Sequence, residues 1–214
     1  MVVATVAEGA QPAVSFDGLE RRTVDGLREV YVKPGATLEP YTKVALLECY
    51  VAFRKNWQRD YNRSARGAGQ RIKQEDMTRI KQEVAQEFQR VFVEVLQEQG
   101  GYEVVTEAGE DVLLLRPAIR NLDVAAPDKK SPGMTTTIVT SAGQMTLYLE
   151  LYDSATGDII ARVTDRRISR ANGGAQRSNS VVNRAEADRI LRRWADILRS
   201  HLDAAKVSKA DVEE

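Results

Sequence analysis

The sequence predicts an α+β domain, a mostly antiparallel sheet with two long helices packed on one face. Three observations predict it. Residues 43–53 and 144–152 alternate at the two-residue period of a strand. Residues 75–99 and the stretch from about 183 carry apolar side chains at three- and four-residue spacing, the period of an amphipathic helix. The order strand, helix, several strands, helix suits helices segregated to one side of an antiparallel sheet.

Length and composition agree with this. The chain has 214 residues, 43% of them hydrophobic and 29% charged, which suits one large domain. A chain of this size buries roughly 70% of the surface its unfolded form exposes, so it needs no metal or disulfide to hold together. We divide it into a poorly structured segment over 1–28, a single α+β domain over 29–204 and a solvated tail over 205–214.

Among the elements, Ser15-Phe16-Asp17-Gly18-Leu19 reads as a turn between two apolar anchors, and 30–33 (VYVK) as a short edge strand before the Pro34-Gly35 turn. Residues 43–53 (KVALLECYVAF) read as one central strand, apolar on both faces. Residues 54–73 hold seven basic residues against Asp60 and read as a long exposed loop, ordered at most around Trp57 and Tyr61. The first helix then carries Met77, Ile80, Val84, Phe88, Val91, Phe92, Val95 and Leu96, and Gly100-Gly101 stops it. Each large side chain of that stripe contributes about 1.5–3 kcal/mol on burial, enough to fix the helix on a sheet.

Residues 102–106 and 112–124 read as strands, with Pro117 marking a bulge or an edge position because it cannot donate to a ladder. Residues 126–133 (APDKKSPG) read as a loop. Met145, Leu147, Leu149 and Leu151 face one way; Gln144, Thr146, Tyr148 and Glu150 face the other. Residues 153–158 (DSATGD) form a hairpin turn with Gly157 at the positive-φ position, and 159–168 return. A polar loop over 171–179 precedes the last helix. A capping box of Asn183 and Glu186 would open that helix, and Ala187, Ile190, Leu191, Trp194, Ile197, Leu198 and Leu202 form its stripe. Because the first helix crosses between strands, one strand pair is expected to be parallel.

For chemistry the residue inventory is sparse. The single histidine, His201, and the single cysteine, Cys49, cannot assemble a zinc site of the usual ligands in one chain. No phosphate loop, dinucleotide fingerprint or nucleophile elbow occurs. Cys49 lies on an apolar strand face, where a thiol acts as a small hydrophobe. No cofactor is implied, and catalysis is disfavoured. The 31 basic and 31 acidic residues cancel, so nucleic acid is disfavoured as a partner. No apolar run reaches the roughly 18 residues that cross a bilayer. The start (MVVATVAEGAQPA) lacks the basic and apolar regions of a secretory signal.

Two groups could carry function. Arg54, Trp57, Arg59, Tyr61, Arg63 and Arg66 interleave guanidinium and aromatic groups on a candidate partner-binding loop. Asp165, Arg166 and Arg167 read as a structural salt-bridge cluster: Asp165 shares its face with apolar residues and needs a partner, expected from an arginine on a neighbouring strand.

A set of local motifs is also distinctive. These are Phe16-Asp17-Gly18-Leu19, Tyr31-Val32-Lys33-Pro34-Gly35-Ala36, Val51-Ala52-Phe53-Arg54-Lys55-Asn56-Trp57 and Gly101-Tyr102-Glu103-Val104-Val105. They continue through Asp111-Val112-Leu113-Leu114-Leu115-Arg116-Pro117-Ala118, the 153–157 turn, Ala161-Arg162-Val163-Thr164-Asp165-Arg166-Arg167, Asn183-Arg184-Ala185-Glu186-Ala187 and Trp194-Ala195. From about Phe16 to Leu202 the chain resembles the domain of unknown function 3313 family, mostly predicted lipoproteins of proteobacteria. The resemblance implies export to the periplasm or outer membrane through a lipid anchor, and it brings no catalytic residues. No cysteine precedes Cys49, and Leu47-Glu48-Cys49 has a charge where a small residue is wanted. The anchor is therefore expected to be absent from this sequence; the alternative is a cytoplasmic protein.

The leading expectation is a non-catalytic envelope domain that binds another, unidentified envelope component through 54–73 or 126–133. One alternative is a binder of anionic polymer through the basic 54–73 loop. The other is a hydrolase using carboxylates alone, which requires a cleft with two acids and a strongly shifted pKa.

Overall fold

The computed structural model describes residues 14–64, 71–125, 139–168 and 180–210. Among these residues eight strands are formed: β1 (Glu20–Arg22), β2 (Glu29–Val32), β3 (Lys43–Leu46), β4 (Tyr50–Phe53), β5 (Glu103–Val105), β6 (Val112–Ala125), β7 (Val139–Asp153) and β8 (Ile159–Ile168). The helices are α1 (Trp57–Ser64), α2 (Gln74–Val93) and α3 (Ser180–Ala210). One mixed, mostly antiparallel sheet runs β1-β2-β8-β7-β6-β3-β5, with β4 also paired to β6.

The β7–β8 hairpin closes on the expected turn, with Gly157 at φ 74°. On β7, Met145, Leu147, Leu149 and Leu151 are buried in the core, as their alternation requires. β6 pairs antiparallel with β7, placing Leu115 opposite Leu151 and Ile119 opposite Leu147 on the same apolar face. Asn121, at φ 52°, lies where the register shifts. An extra residue in a strand flips the parity of every later position, so Leu122 and Val124 are buried beyond the shift while Leu113, Leu115 and Ile119 are buried before it.

Pro117 explains the first correction. The Leu47 N–H donates to the Leu115 carbonyl at 3.0 Å. Backbone groups two residues apart point the same way, so position 117 faces the same neighbour, and proline offers no N–H. β3 ends opposite Leu115 and β4 resumes opposite Ala118. The single strand expected over 43–53 is thus two short parallel strands, with Leu47 exposed and Cys49 buried at the break. The crossover through α1 and α2 yields the expected parallel pairing, β3 with β5.

Residues 54–73 were expected as a loop ordered at most around Trp57 and Tyr61, and the order there is a helix. Residues 57–64 are helical. Trp57 is 2% exposed. Its ring stacks on Phe53 and Tyr61 at centroid distances of 4.3 and 5.8 Å, and its indole N–H donates to the Val124 carbonyl at 3.2 Å. A bulky ring inside the sheet edge nucleates this turn of helix, which periodicity over so short a stretch does not reveal.

α2 begins where the Lys73 N–H donates to Asp76 Oδ2 at 2.9 Å. Its Phe88 and Phe92 rings stack at 4.0 Å, and both are fully buried. A π-helical turn, Glu94–Gln99, carries Val95 and Leu96 into the core before Gly101, at φ 71°, ends the helix. α2 packs on β4 and α3, and α3 packs on β7. The expected cap at Asn183 and Glu186 lies outside the described side chains, and so do the loops over 126–133 and 171–179.

Both ends of the domain carry more order than the sequence shows. Within the segment expected to be poorly structured, β1 pairs with β2 and Leu19 is fully buried. Its apolar residues are too few and irregular to show a period. At the other end α3 continues to Ala210. The Tyr102 hydroxyl donates to Asp203 at 2.7 Å, and Lys206 Nζ sits 3.7 Å above the Tyr102 ring.

Trp194 is a core residue of α3. Trp194→Ala is expected to cost about 3–5 kcal/mol in urea unfolding. A loss under about 0.5 kcal/mol would place the ring at the surface instead.

Candidate functional site

Of the six residues on the candidate partner-binding loop, Arg66 lies outside the described residues. Arg54 is held by two carboxylates, donating to Asp123 through Nε and to Asp60 through Nη1, each at 2.8 Å. Arg59 reaches Asp60 at 3.4 Å. Trp57 is buried and Tyr61 partly so, which leaves Arg59 and Arg63 as the exposed members. The structure therefore uses Arg54, Trp57 and Tyr61 to dock α1 onto β4 and β6.

The second group is divided by the strand it sits on. Asp165 is 3% exposed on the apolar face of β8. It accepts from the Trp194 indole N–H at 2.7 Å, from Arg167 Nε at 2.6 Å and from the Arg28 backbone N–H at 3.1 Å. The arginine comes from its own strand, two residues on, and not from a neighbouring one; residues two apart share a face, so no second strand is needed. Arg166 points the other way, is exposed, and donates to Gln144. Asp165 thus joins β8, the 24–28 turn and α3 through three donors, a complete set for a buried carboxylate.

Beside that junction lies a cavity of about 140 Å³, partly open to solvent. β7 and β8 contribute Leu147, Leu149, Leu151, Ile160, Ala161 and Val163; α3 contributes Trp194, Ile197, Leu198 and His201. The 24–38 segment closes it with Val24, Leu27, Val30, Val32, Ala36, Thr37 and Leu38. Only Thr37 and His201 are polar, and both are exposed, so they mark the rim.

A polar cleft adjoins the cavity and shares Ile197 and His201 with it. Five arginines, Arg166, Arg167, Arg189, Arg192 and Arg193, line it against Asp25, Asp188 and Asp196. Gly26 lets the two regions meet. Its φ is 79°, and a Cβ there would come within 3.2 Å of both Arg193 and Ile197. The Gly26 carbonyl also accepts from Arg167.

Burial raises the Asp188 pKa, but hydrogen bonds from Arg192 and Arg90 outweigh it and hold the carboxyl below its ordinary value. Glu150, 7% exposed on the opposite sheet face, behaves alike. Desolvation raises it, and donors from Tyr148, Tyr152 and Arg162 at 2.8, 2.9 and 3.2 Å carry it below the usual range. Burial pushes the Cys49 thiol up to about 12, which suits a packing role. No cluster of three metal-ligating side chains occurs among the described residues.

Sequence reasoning found the Asp165 group and the α3 stripe but missed the cavity. Val24 and Leu27 lie in a stretch without period, and Ala36 and Leu38 follow a Pro-Gly turn. Only their apolar character signalled burial.

A family model for proteins of unknown function, DUF3313, matches residues 10–198. The chain belongs to this family. No curated protein matches it. Among solved structures it is similar to the PelC dodecamer from Paraburkholderia phytofirmans at 14% identity, covering 76% of this chain and 96% of that one, TM-score 0.37. It is similar to a minor lipoprotein from Acinetobacter baumannii at 12% identity, covering 75% and 94%, TM-score 0.35. A neuraminyllactose-binding hemagglutinin homolog from Helicobacter pylori is 12% identical, covering 82% and 94%, TM-score 0.34. Within the described residues no helix is long and apolar enough to cross a membrane.

Two carboxyls held below their unfolded values give a signed pH dependence. Their contribution is complete above the unfolded values, 3.8 for Asp188 and 4.5 for Glu150, and is lost as pH falls through the lower folded values. The urea midpoint is therefore expected to fall from pH 6 to pH 3. Glu150→Gln should lower the midpoint at pH 6 and flatten that slope; an unchanged slope would exclude Glu150 as a contributor.

Proposed function

We propose that this member of the DUF3313 family is a non-catalytic envelope domain that binds an apolar chain of another envelope component. The single observation behind it is the apolar cavity under α3. A concave, mostly apolar site with a few polar groups at its rim is the usual form of a ligand pocket. This reading takes both long helices to lie on one face of the sheet, since their stripes join a single core cluster with Leu147, Leu149 and Leu151. It takes the protein to reside in the periplasm or at the outer membrane, as the family resemblance implies.

The direction of the Asp188 shift disfavours it as a general acid. A general acid needs a raised pKa, whereas Asp188 in the cleft is lowered. Arg59 and Arg63 on α1 remain a second surface at which a partner could dock, because both are exposed.

Ala161 lies on the cavity wall, and Ala161→Leu should fill part of it. The variant is expected to hold or raise the urea midpoint while weakening binding of an eight-carbon alkyl probe at least tenfold by calorimetric titration. Unaltered probe binding would refute the cavity as the site. Fractionating cells that express the native precursor should recover it with the envelope; recovery only from the cytosol would exclude the envelope placement.

A further inference from the structure

We infer that the chain bound in this cavity carries an anionic head group, held over the adjoining arginine cleft; the inference rests on the reading of the cavity as an alkyl site. The two regions share Ile197 and His201. Arg193, Ile197 and His201 recur at four-residue intervals on α3, so one helix face presents a cation, the shared apolar wall and the rim. A ligand crossing that boundary is apolar at one end and polar at the other.

Charge decides the polar end. Among the cleft acids, Asp188 is met by Arg192 at 2.7 Å and Asp196 by Arg199 at 3.3 Å. Arg167 is engaged by Asp165 at 2.6 Å. Arg166 donates to the neutral side-chain carbonyl of Gln144. Arg193 forms no ion pair among the described residues. Arg193, four residues before the shared Ile197, is thus a guanidinium without a carboxylate partner, in a cleft lined by five arginines and three aspartates. A carboxylate or phosphate head complements that arrangement, and guanidinium binds either in a fork; a cationic head is repelled.

Size sets the chain. A closed apolar cavity of about 150 Å³ takes a benzene-sized hydrocarbon. About six carbons therefore fit here, and an eight-carbon chain places its head at the rim. This is a single-chain anionic amphiphile, a fatty acid or a lipid phosphate.

Trp194 lines the cavity, and the only other tryptophan is Trp57. In full-length Trp57→Phe protein, 8-bromooctanoate should quench Trp194 saturably. Affinity should rise about fourfold per methylene from hexanoate to octanoate. The neutral 8-bromooctanol should bind about tenfold more weakly. Arg193→Gln should weaken octanoate about tenfold and leave octanol unchanged. Octyl phosphate binding more tightly than octanoate would assign a lipid phosphate, and the reverse a fatty acid; either supports the inference. Inorganic phosphate alone should not compete.

Equal binding of octanol and octanoate would overturn the head-group inference and leave the alkyl site standing. Absence of binding by both would remove both readings. A dimer that dissociates on Arg193→Glu, with no octanoate bound, would assign this face to a second copy of the chain. Should Trp57→Phe fail to fold, calorimetric titration of the unaltered chain yields the same ordering.

Discussion

A carboxylate buried on the apolar face of a sheet is stable only where donors meet it, and Asp165 meets three. Its partners come from three parts of the chain: Arg167 in the same strand, the Arg28 backbone and the Trp194 indole. Losing one of them leaves charge in a low-dielectric interior, a cost of several kcal/mol at such sites. The junction therefore fixes where α3 crosses β8 and where the 24–28 turn lies against both. The cavity and the cleft result from that placement, because α3 and the turn are the walls the two regions share with the sheet.

The two faces of the sheet solve different problems. The face carrying Leu147, Leu149 and Leu151 joins the helix stripes in one core cluster, and these three residues also line the cavity. The opposite face carries Glu150 within a hydrogen-bonded set of two tyrosines and an arginine, and Arg120 stacks over Tyr148 at 3.9 Å. Asp165 and Glu150 each meet three side-chain or backbone donors, and those on Glu150 hold its carboxyl below its ordinary value. That is the signature of structural ion pairing, which holds the sheet rigid beneath a site formed by its neighbours.

Legibility followed the length of each pattern. The β7–β8 hairpin, the α2 stripe and the α3 stripe each repeat a period several times, and each lies where its period implies. The break at Pro117 was half legible: the missing donor was visible, but whether it faced β7 or β3 depended on register. Order around Trp57 and Tyr61 was legible but its helical form was not, and the 14–28 segment was not legible, because eight residues around one tryptophan, or a few irregular apolar anchors, do not define a period. For the candidate site, Asp165 could be recognised as a carboxylate in need of a partner. Arg167 was grouped with it, but the other two donors could not be read, since Trp194 is 29 residues away and Arg28 is 137.

By itself, then, the sequence determined the class of fold, the core faces of the long elements and the family, because these depend on local periodicity and on motifs read in order. Tertiary structure alone decided that Trp57 docks inward, that β3 and β4 separate, and that an apolar cavity opens beside an arginine cleft. Each of those depends on residues far apart in the chain meeting in one volume. No single stretch of sequence carries that information, because the energy of a void or of a buried charge belongs to the assembled surroundings.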